Sequence, residues 1–423
     1  MERNKVSTFK AFRSTNYTLY FIGRSVSQLG TWMQRTAVVW VVYTLTHSAF
    51  MLGVTIFAEQ FPSFLLSAFG GVAADRYNRF KIINITQITS MIQAVLLAVL
   101  VMTNHYVVWE ILTLSVVLGI INAYDIPARQ ALINEVVEDE SDLSSALSLS
   151  ASMASLTKIL GPALSGIILK EFGAGMCFLI NAATFGGVML SIFFMKKPET
   201  FIPKGKNKNA FKDLVEGFVY LKQRSSIGLV IVMLGVTGLL VLPYDTLLPV
   251  FAKMIFKGDA ATFGYISGFI GTGAVAGTLL LASLKKDAPM RKVLVISTLI
   301  ISIGLVCFSL TAHFYLAMFF AVIIGFGGVA QFTTCNIIVQ SESSPEMRGR
   351  AISILLTAIF GMLPLGSVIV GAVSQHIGAP ETIFIEGVVG IITAIVFAKI
   401  LKKKKDTAPQ LSRQAEEAML DTV

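Results

Sequence analysis

Residues 70–81 read GGVAADRYNRFK and set Asp75, Arg76, Arg79 and Lys81 into a very short turn behind two glycines. The chain is apolar on both sides of it: residues 36–58 and 82–109 contain no Asp, Glu, Lys or Arg. A helix needs roughly 20 apolar residues to cross the hydrocarbon of a bilayer, so a compact charged turn between two such stretches reads as the link between two membrane spans. Uncharged runs recur at 172–195, 225–244, 260–284 and 351–380. The run 293–341 is 49 residues long and must hold two spans around a turn at His313.

Composition agrees. Of 423 residues 54% are hydrophobic and 14% charged, with a mean hydropathy of +0.73. A soluble domain carries about 25% charged residues, which excludes an ordinary water-soluble globule. Backbone groups inside hydrocarbon find no water to bond, so the spans must be helical. The fold class is an all-α polytopic membrane protein with twelve transmembrane helices, near 17–44, 50–74, 82–103, 107–130, 144–170, 174–195, 226–250, 260–284, 292–311, 314–340, 349–373 and 381–400. They divide into a six-helix half (1–195), a basic linker (196–225), a second six-helix half (226–400) and a polar tail (401–423). In the linker, Phe211, Leu214, Val215, Phe218 and Val219 repeat with helical period, predicting a short amphipathic helix on the membrane surface.

The net charge of +9 first suggests nucleic acid, but its placement points elsewhere. With a cytoplasmic N-terminus, 28 of the 34 Lys and Arg fall on the cytoplasmic side, Lys170, Lys253 and Lys257 on the other, and Arg24, Arg35 and Lys158 inside spans. Enrichment of Lys and Arg on the inside sets orientation, so both termini are expected in the cytoplasm of a bacterial inner membrane. The excess also suits anionic lipid, notably at Lys402 to Lys405, and no nucleic-acid partner is expected. The polar lead up to Tyr17 and a full-length first span leave no cleavable signal peptide. Cys177, Cys307 and Cys335 lie one per span and suit apolar packing rather than a metal or a disulfide. No cofactor or metal is expected, and the chain should act as a monomer.

Polar residues inside spans carry the functional signal. Arg24, Gln28, Thr31 and Arg35 follow steps of four, three and four and share one face of span 1, with Trp32 beside them. Such a stripe faces a water-filled cavity or binds neighbouring helices, because facing lipid costs several kcal/mol per charge. Glu59 lies near the bilayer centre in span 2, and Lys158 is near the midplane of span 5. Asn122, Asp125 and Arg129 share a face of span 4, where Pro127 interrupts the ladder; Asp125 joins Glu59 as a proton-coupling candidate. Gly161, Pro162 and Gly166 in GPALSG permit close helix approach. The second half has fewer buried charges, chiefly Asp245 and Glu386, with Gln331 adding polarity to span 10 and to the cavity wall.

The halves resemble repeats. GIINAYDIPARQALINEVVEDESDLSSA from Gly119 matches GFGGVAQFTTCNIIVQSESSPEMRGRA from Gly325 at an offset of 206, and Pro162 and Pro364 lie 202 apart. The turn 70–81 has only a weak counterpart after Gly277.

These residues resemble the major facilitator superfamily. GGVAADRYNRFK is similar to its loop between spans 2 and 3, G-x-x-x-D-R-x-G-R-[RK]. Asn78 stands where glycine is commonest, and Asn also tolerates a left-handed conformation. LGTWMQRTAVVW (29–40), NAYDIPARQA (122–131), GPALSG (161–166) and GAGMCFLINAATF (173–185) resemble the bacterial exporter branch with enterobactin-type siderophore exporters and macrolide efflux proteins. The resemblance implies two halves rocking about a midplane site and export driven by the proton gradient. GPALSG is similar to the antiporter signature of drug exporters without its earlier glycine. The family's usual mid-span 4 arginine is also missing, Arg129 lying nearer the cytoplasmic end.

The expected function is secondary export of a small amphiphilic molecule, siderophore or drug-like, coupled to proton antiport. Glu59 is the expected proton carrier. Arg24, Gln28, Thr31, Trp32, Arg35, Lys158 and Gln331 form the expected cavity, whose positive charge favours an anionic or catecholate-like cargo. A fixed Glu59–Lys158 ion pair is the plain structural alternative. Gly71, Asp75, Arg76, Arg79 and Arg129 are expected to gate the cytoplasmic side. A lipid or lysophospholipid flippase of the same fold is the rival within transport. From another class, an intramembrane enzyme finds no support: His47, His105, His313 and His376 are scattered near outer loops, and HExxH, GxSxG and P-loop motifs are absent.

Overall fold

The computed structural model describes residues 9–104, 106–195, 216–217, 219–222, 224–285 and 288–420, and every regular element among them is helical. The long helices are α1 Thr15–Thr46, α2 Ala49–Arg76, α3 Arg79–Met102, α4 Val108–Val136, α5 Leu143–Phe172, α6 Ala174–Phe194, α7 Ser225–Leu240, α8 Ala260–Ser283, α9 Met290–Leu310, α10 Phe314–Glu342, α11 Arg348–Ile377 and α12 Ala379–Leu420. Eleven spans are long and apolar enough to cross a membrane, α7 counting with its extension to Ile255. The remaining helix, α1, is 32 residues long but carries the polar stripe, which lowers its hydropathy.

The charged turn is tighter than its sequence suggests. α2 runs through Gly70 and Gly71 to Arg76, and only Tyr77 and Asn78 separate it from α3. Asn78 is not left-handed: its φ is −62°, and its side chain accepts from the Lys81 N–H at 3.2 Å as the cap of α3. Asparagine therefore replaces the commoner glycine by satisfying an orphan helix donor.

α7 also departs from a plain span. Pro243 has no N–H to donate, and the helix gives way to a 3-10 stretch, Leu242–Leu247, then a single turn and a π-turn, Phe251–Ile255. Asp245 sits in that stretch.

The halves repeat one packing scheme. In the first, α2 packs on α4, α1 on α5 and α6, and α3 on α4 and α6; in the second, α8 packs on α10, α7 on α11 and α12, and α9 on α10 and α12. Gly119 and Gly325, paired by the repeat, play the same part. A Cβ on Gly119 would strike the carbonyl of Glu59, and one on Gly325 the carbonyl of Ile270. Ile270 thus stands where the first half has Glu59, so this acid has no counterpart.

Two contacts join the halves, α2 with α11 and α5 with α8, and the pseudo-twofold exchanges them. They are tight toward one end. Ser48 Oγ lies 3.0 Å from Gln375 Oε1, Gly53 meets the Ser367 backbone, and the backbones of Gly166 and Gly264 approach so closely that a Cβ on Gly166 would lie 3.0 Å from the Gly264 Cα. This is called the far end; the other, bearing the start of α1 and the 77–78 turn, is the basic end. Gly71 lies five turns from Gly53 on the same face of α2, yet a Cβ there would meet nothing within 4 Å. Ser148 and Ser152, continuing the Gly166 face of α5, are exposed. The halves therefore close at the far end and part toward the basic end.

Two expectations about polar segments change. The tail does not end with the last span: α12 continues as helix to Leu420, its Ala, Glu, Gln, Leu and Lys being strong helix formers. Phe211, Leu214, Val215 and Phe218 lie outside the described residues. The end of the linker docks on the start of α11, with Glu216 2.6 Å from Arg350, Tyr220 accepting from the Ser344 N–H at 3.1 Å, and Leu221 buried.

Candidate functional site

The site is the cleft where the halves part, and its chemistry gathers around Trp32 on α1. Gly161 of the GPALSG segment makes room for Trp32, because a Cβ there would collide with the Trp32 Cβ. Ser165 fixes the same contact by donating to the Met33 carbonyl at 3.0 Å. Two cations then flank the indole: Arg35 lies 5.3 Å from the ring centroid and Lys158 6.0 Å. An indole face attracts cations through its quadrupole, and Trp is the best ring for it. Pairing like charges on one ring places two positive groups side by side.

Acids from both halves balance them. Glu59 on α2 is 3.7 Å from Arg35, and both side chains keep partial exposure, 14% and 27%. Glu59 therefore pairs with Arg35 rather than Lys158. Lys158 instead lies within electrostatic reach of Asp245, which stands across the cleft on the second half. Lys158 and Asp245 are exposed although each sits deep within its helical span. They must therefore line a water-accessible cavity. Arg24, Gln28 and Thr31 continue the wall along α1 as half-buried residues, and Thr31 also donates to the Ser27 carbonyl at 2.9 Å.

Gln331 does not belong to this wall. It is fully enclosed and donates to Thr237 Oγ1 at 3.0 Å, tying α10 to α7. A side chain with no exposed surface binds helices, not cargo.

Asp125 and Arg129 also sit apart. Arg129 pairs with Asp125 one turn away, and Asp125 accepts from Thr86 at 2.6 Å and Gln87 at 3.1 Å. Tyr20 donates to the Arg129 carbonyl at 3.4 Å. This buried, multiply bonded carboxylate holds α3 and α4 together within the first half. Arg79 likewise pairs with Glu135 inside that half and donates to the Ala74 carbonyl. Asp75 and Arg76 are exposed on the parted face, and Gly71 lies open beside them.

Sequence reading passed over the network under the site. Gln34 donates to Gln93 at 3.0 Å and accepts from Asn181 at 2.8 Å, while Gln93 donates to the Leu114 carbonyl. These three fully buried amides join α1, α3, α4 and α6 and fix the rotation of α1 that turns Arg35 inward. Their signal was a glutamine beside an arginine, with Gly30 one turn earlier packed on Asn181 and Thr184.

Twelve helices in two pseudo-symmetric halves around a charged cleft agree with what comparison of the sequence returns: residues 6–422 match the family described as Transmembrane secretion effector. The chain belongs to this family of the major facilitator superfamily. Like other major facilitators it is a transporter rather than an enzyme. It is 27% identical to the Staphyloferrin A transporter of Staphylococcus aureus, covering 92% of this chain and 97% of that protein. It is 21% identical to Macrolide efflux protein A of Streptococcus pyogenes, covering 92% and 96%. Among solved structures it superimposes on the nucleoside transporter NupG with a TM-score of 0.71 at 15% identity, over 92% of this chain and 99% of that one. That likeness concerns the fold.

Proposed function

We propose that this transporter exports a small amphiphilic organic anion, catecholate or carboxylate in character, by alternating access. The pairing of Arg35 and Lys158 on Trp32 carries the reading. Two cations beside an aromatic face offer charge to an acidic group and a flat apolar surface to a ring. The relatives' names, a siderophore transporter and a macrolide efflux protein, support export. The basic end is then cytoplasmic by its Lys and Arg, and the described conformation is open to the cytoplasm.

In this reading proton antiport drives export, with Glu59 as the first-half titrating group. Protonation would uncouple it from Arg35, and the changed charge of the wall would bias which end opens. Asp75 lies on the uncovered face of α2. Closing the basic end would bring it toward the start of α11, whose partial positive charge favours an anion; that contact would latch the cytoplasmic gate beside Arg76, Arg79 and Arg129. The deciding experiment compares efflux of acidic siderophores and of cationic drugs from vesicles with and without a pH gradient. Preference for the anions with dependence on the gradient supports the reading. Cationic cargo, or full rate and unchanged pH dependence in Glu59→Gln, refutes its respective part.

A further inference from the structure

Glu386 on α12 is only 3% exposed, and neither of its carboxyl oxygens has a hydrogen-bond partner. Gly390, one turn away, packs on Ser302 of α9 and Val241 of α7, and Gly387 on Ser302 and Val306. α7 and α12 run antiparallel here, so one turn beyond the Val241–Gly390 contact, Asp245 comes level with Glu386. The two acids are within electrostatic reach of each other, and Tyr244 lies beside both. Asp245 is exposed to the cavity, whereas Glu386 is enclosed behind it. Thr246, adjacent to Asp245, is fully buried with its hydroxyl unpaired.

The other titratable groups on the packed elements stand elsewhere. Arg291, Lys292, Arg348, Arg350 and Lys399 lie toward the basic end. Lys253, His376 and Glu381 are exposed toward the far end, and Cys307 lies on α9 beyond Val306. Among the described residues no cation is within electrostatic reach of Glu386. An ionised carboxylate so enclosed, unbonded and next to a second acid is too costly to persist; a neutral carboxylic acid is not.

We propose that Glu386 and Asp245 form a proton-binding couple, with Glu386 holding the proton inside the second half and Asp245 exchanging it with cavity water. The couple deepens the antiport reading, on which its role in transport rests, by providing a proton site in the half that lacks a counterpart of Glu59. Through Asp245 it also touches the cations: the same carboxylate reaches Arg35 and Lys158 across the cleft. The occupancy of Glu386 can therefore be sensed where cargo binds.

The test is infrared spectroscopy of the full chain in liposomes at neutral pH. Wild type should show a carboxylic-acid carbonyl band that shifts in heavy water; Glu386→Gln should lose it, and Glu386→Asp should move it. Asp245→Asn should keep the band but slow its exchange at least tenfold, and Glu59→Gln should leave both unchanged. Thermal unfolding confirms that each variant is folded. A band undiminished in folded Glu386→Gln overturns the site, and wild-type exchange in Asp245→Asn overturns the route. Should the site be present while vesicle transport ignores a pH gradient, the antiport reading fails and the proton site stands.

Discussion

At the scale of the residue, Trp32 and the Asp125–Arg129 pair show how similar charges acquire different work. Trp32 holds Arg35 and Lys158 at the cavity. Removing the indole in Trp32→Ala takes away one or two cation–π contacts of about 0.5–2 kcal/mol each. Binding of an acidic cargo should weaken roughly three- to thirtyfold by titration calorimetry, with the fold retained. Asp125 and Arg129 are closed off and bonded to Thr86, Gln87 and Tyr20. Breaking a buried pair leaves an uncompensated charge costing about 3–5 kcal/mol. Arg129→Ala should therefore lower the unfolding temperature in detergent markedly and affect transport mainly through lost protein. A proton carrier at Asp125 would show the reverse: normal stability and a changed pH profile.

At the scale of the element, α5 carries two functions one after the other. Gly161 admits Trp32 from α1, and Gly166 admits α8 from the other half, so a single small-residue motif places the site and closes the far end. Gly166→Val would press on the α8 backbone and should shift the population toward a far-end-open state, seen as faster thiol labelling of a cysteine introduced at Ser48. Beyond Gly166, Lys170 lies 3.4 Å from Asp259, which caps α8 by accepting from the Thr262 N–H. Burial works to raise the Asp259 pKa, but the Thr262 hydrogen bonds and the Lys170 charge outweigh it and hold the carboxyl below its ordinary value. A lowered pKa means the contact stabilises closure fully above the ordinary Asp range, near 3.9, and loses that contribution as pH falls through the lower bound-state value. Far-end labelling should thus stay constant from neutral pH down to about 4 and rise only below it. Asp259→Asn should raise it modestly at neutral pH, since exposed pairs contribute at most about 1 kcal/mol.

At the scale of the whole molecule, the far-end contacts α2–α11 and α5–α8 act as the closed jaw of a clamp whose other jaw is parted. Ser48 and Gln375 meet across it. Joining Ser48→Cys to Gln375→Cys with a short cross-linker should abolish transport while leaving cargo binding from the basic end intact; continued transport would mean that this end need not open. Much of this was legible in the sequence. Uncharged runs of span length gave the helices to within a few residues, because the thickness of the bilayer and the absence of water leave the chain one local solution. The stripe on α1 announced a polar face by its period alone. Its partners were not legible. Glu59 was as free to meet Lys158 as Arg35, Gln331 looked like cavity lining but is sealed on Thr237, and nothing local set Asp245 against Lys158 or Glu386. Those pairings depend on the rotation of each helix about its axis, which the buried amides of Gln34, Gln93 and Asn181 and the bare glycines at the crossings decide together. Sequence alone thus determined that the chain spans a membrane twelve times in two like halves, since insertion is a property of each segment. Only the tertiary structure decided which charges share the cavity, because that is a property of helices packed against one another.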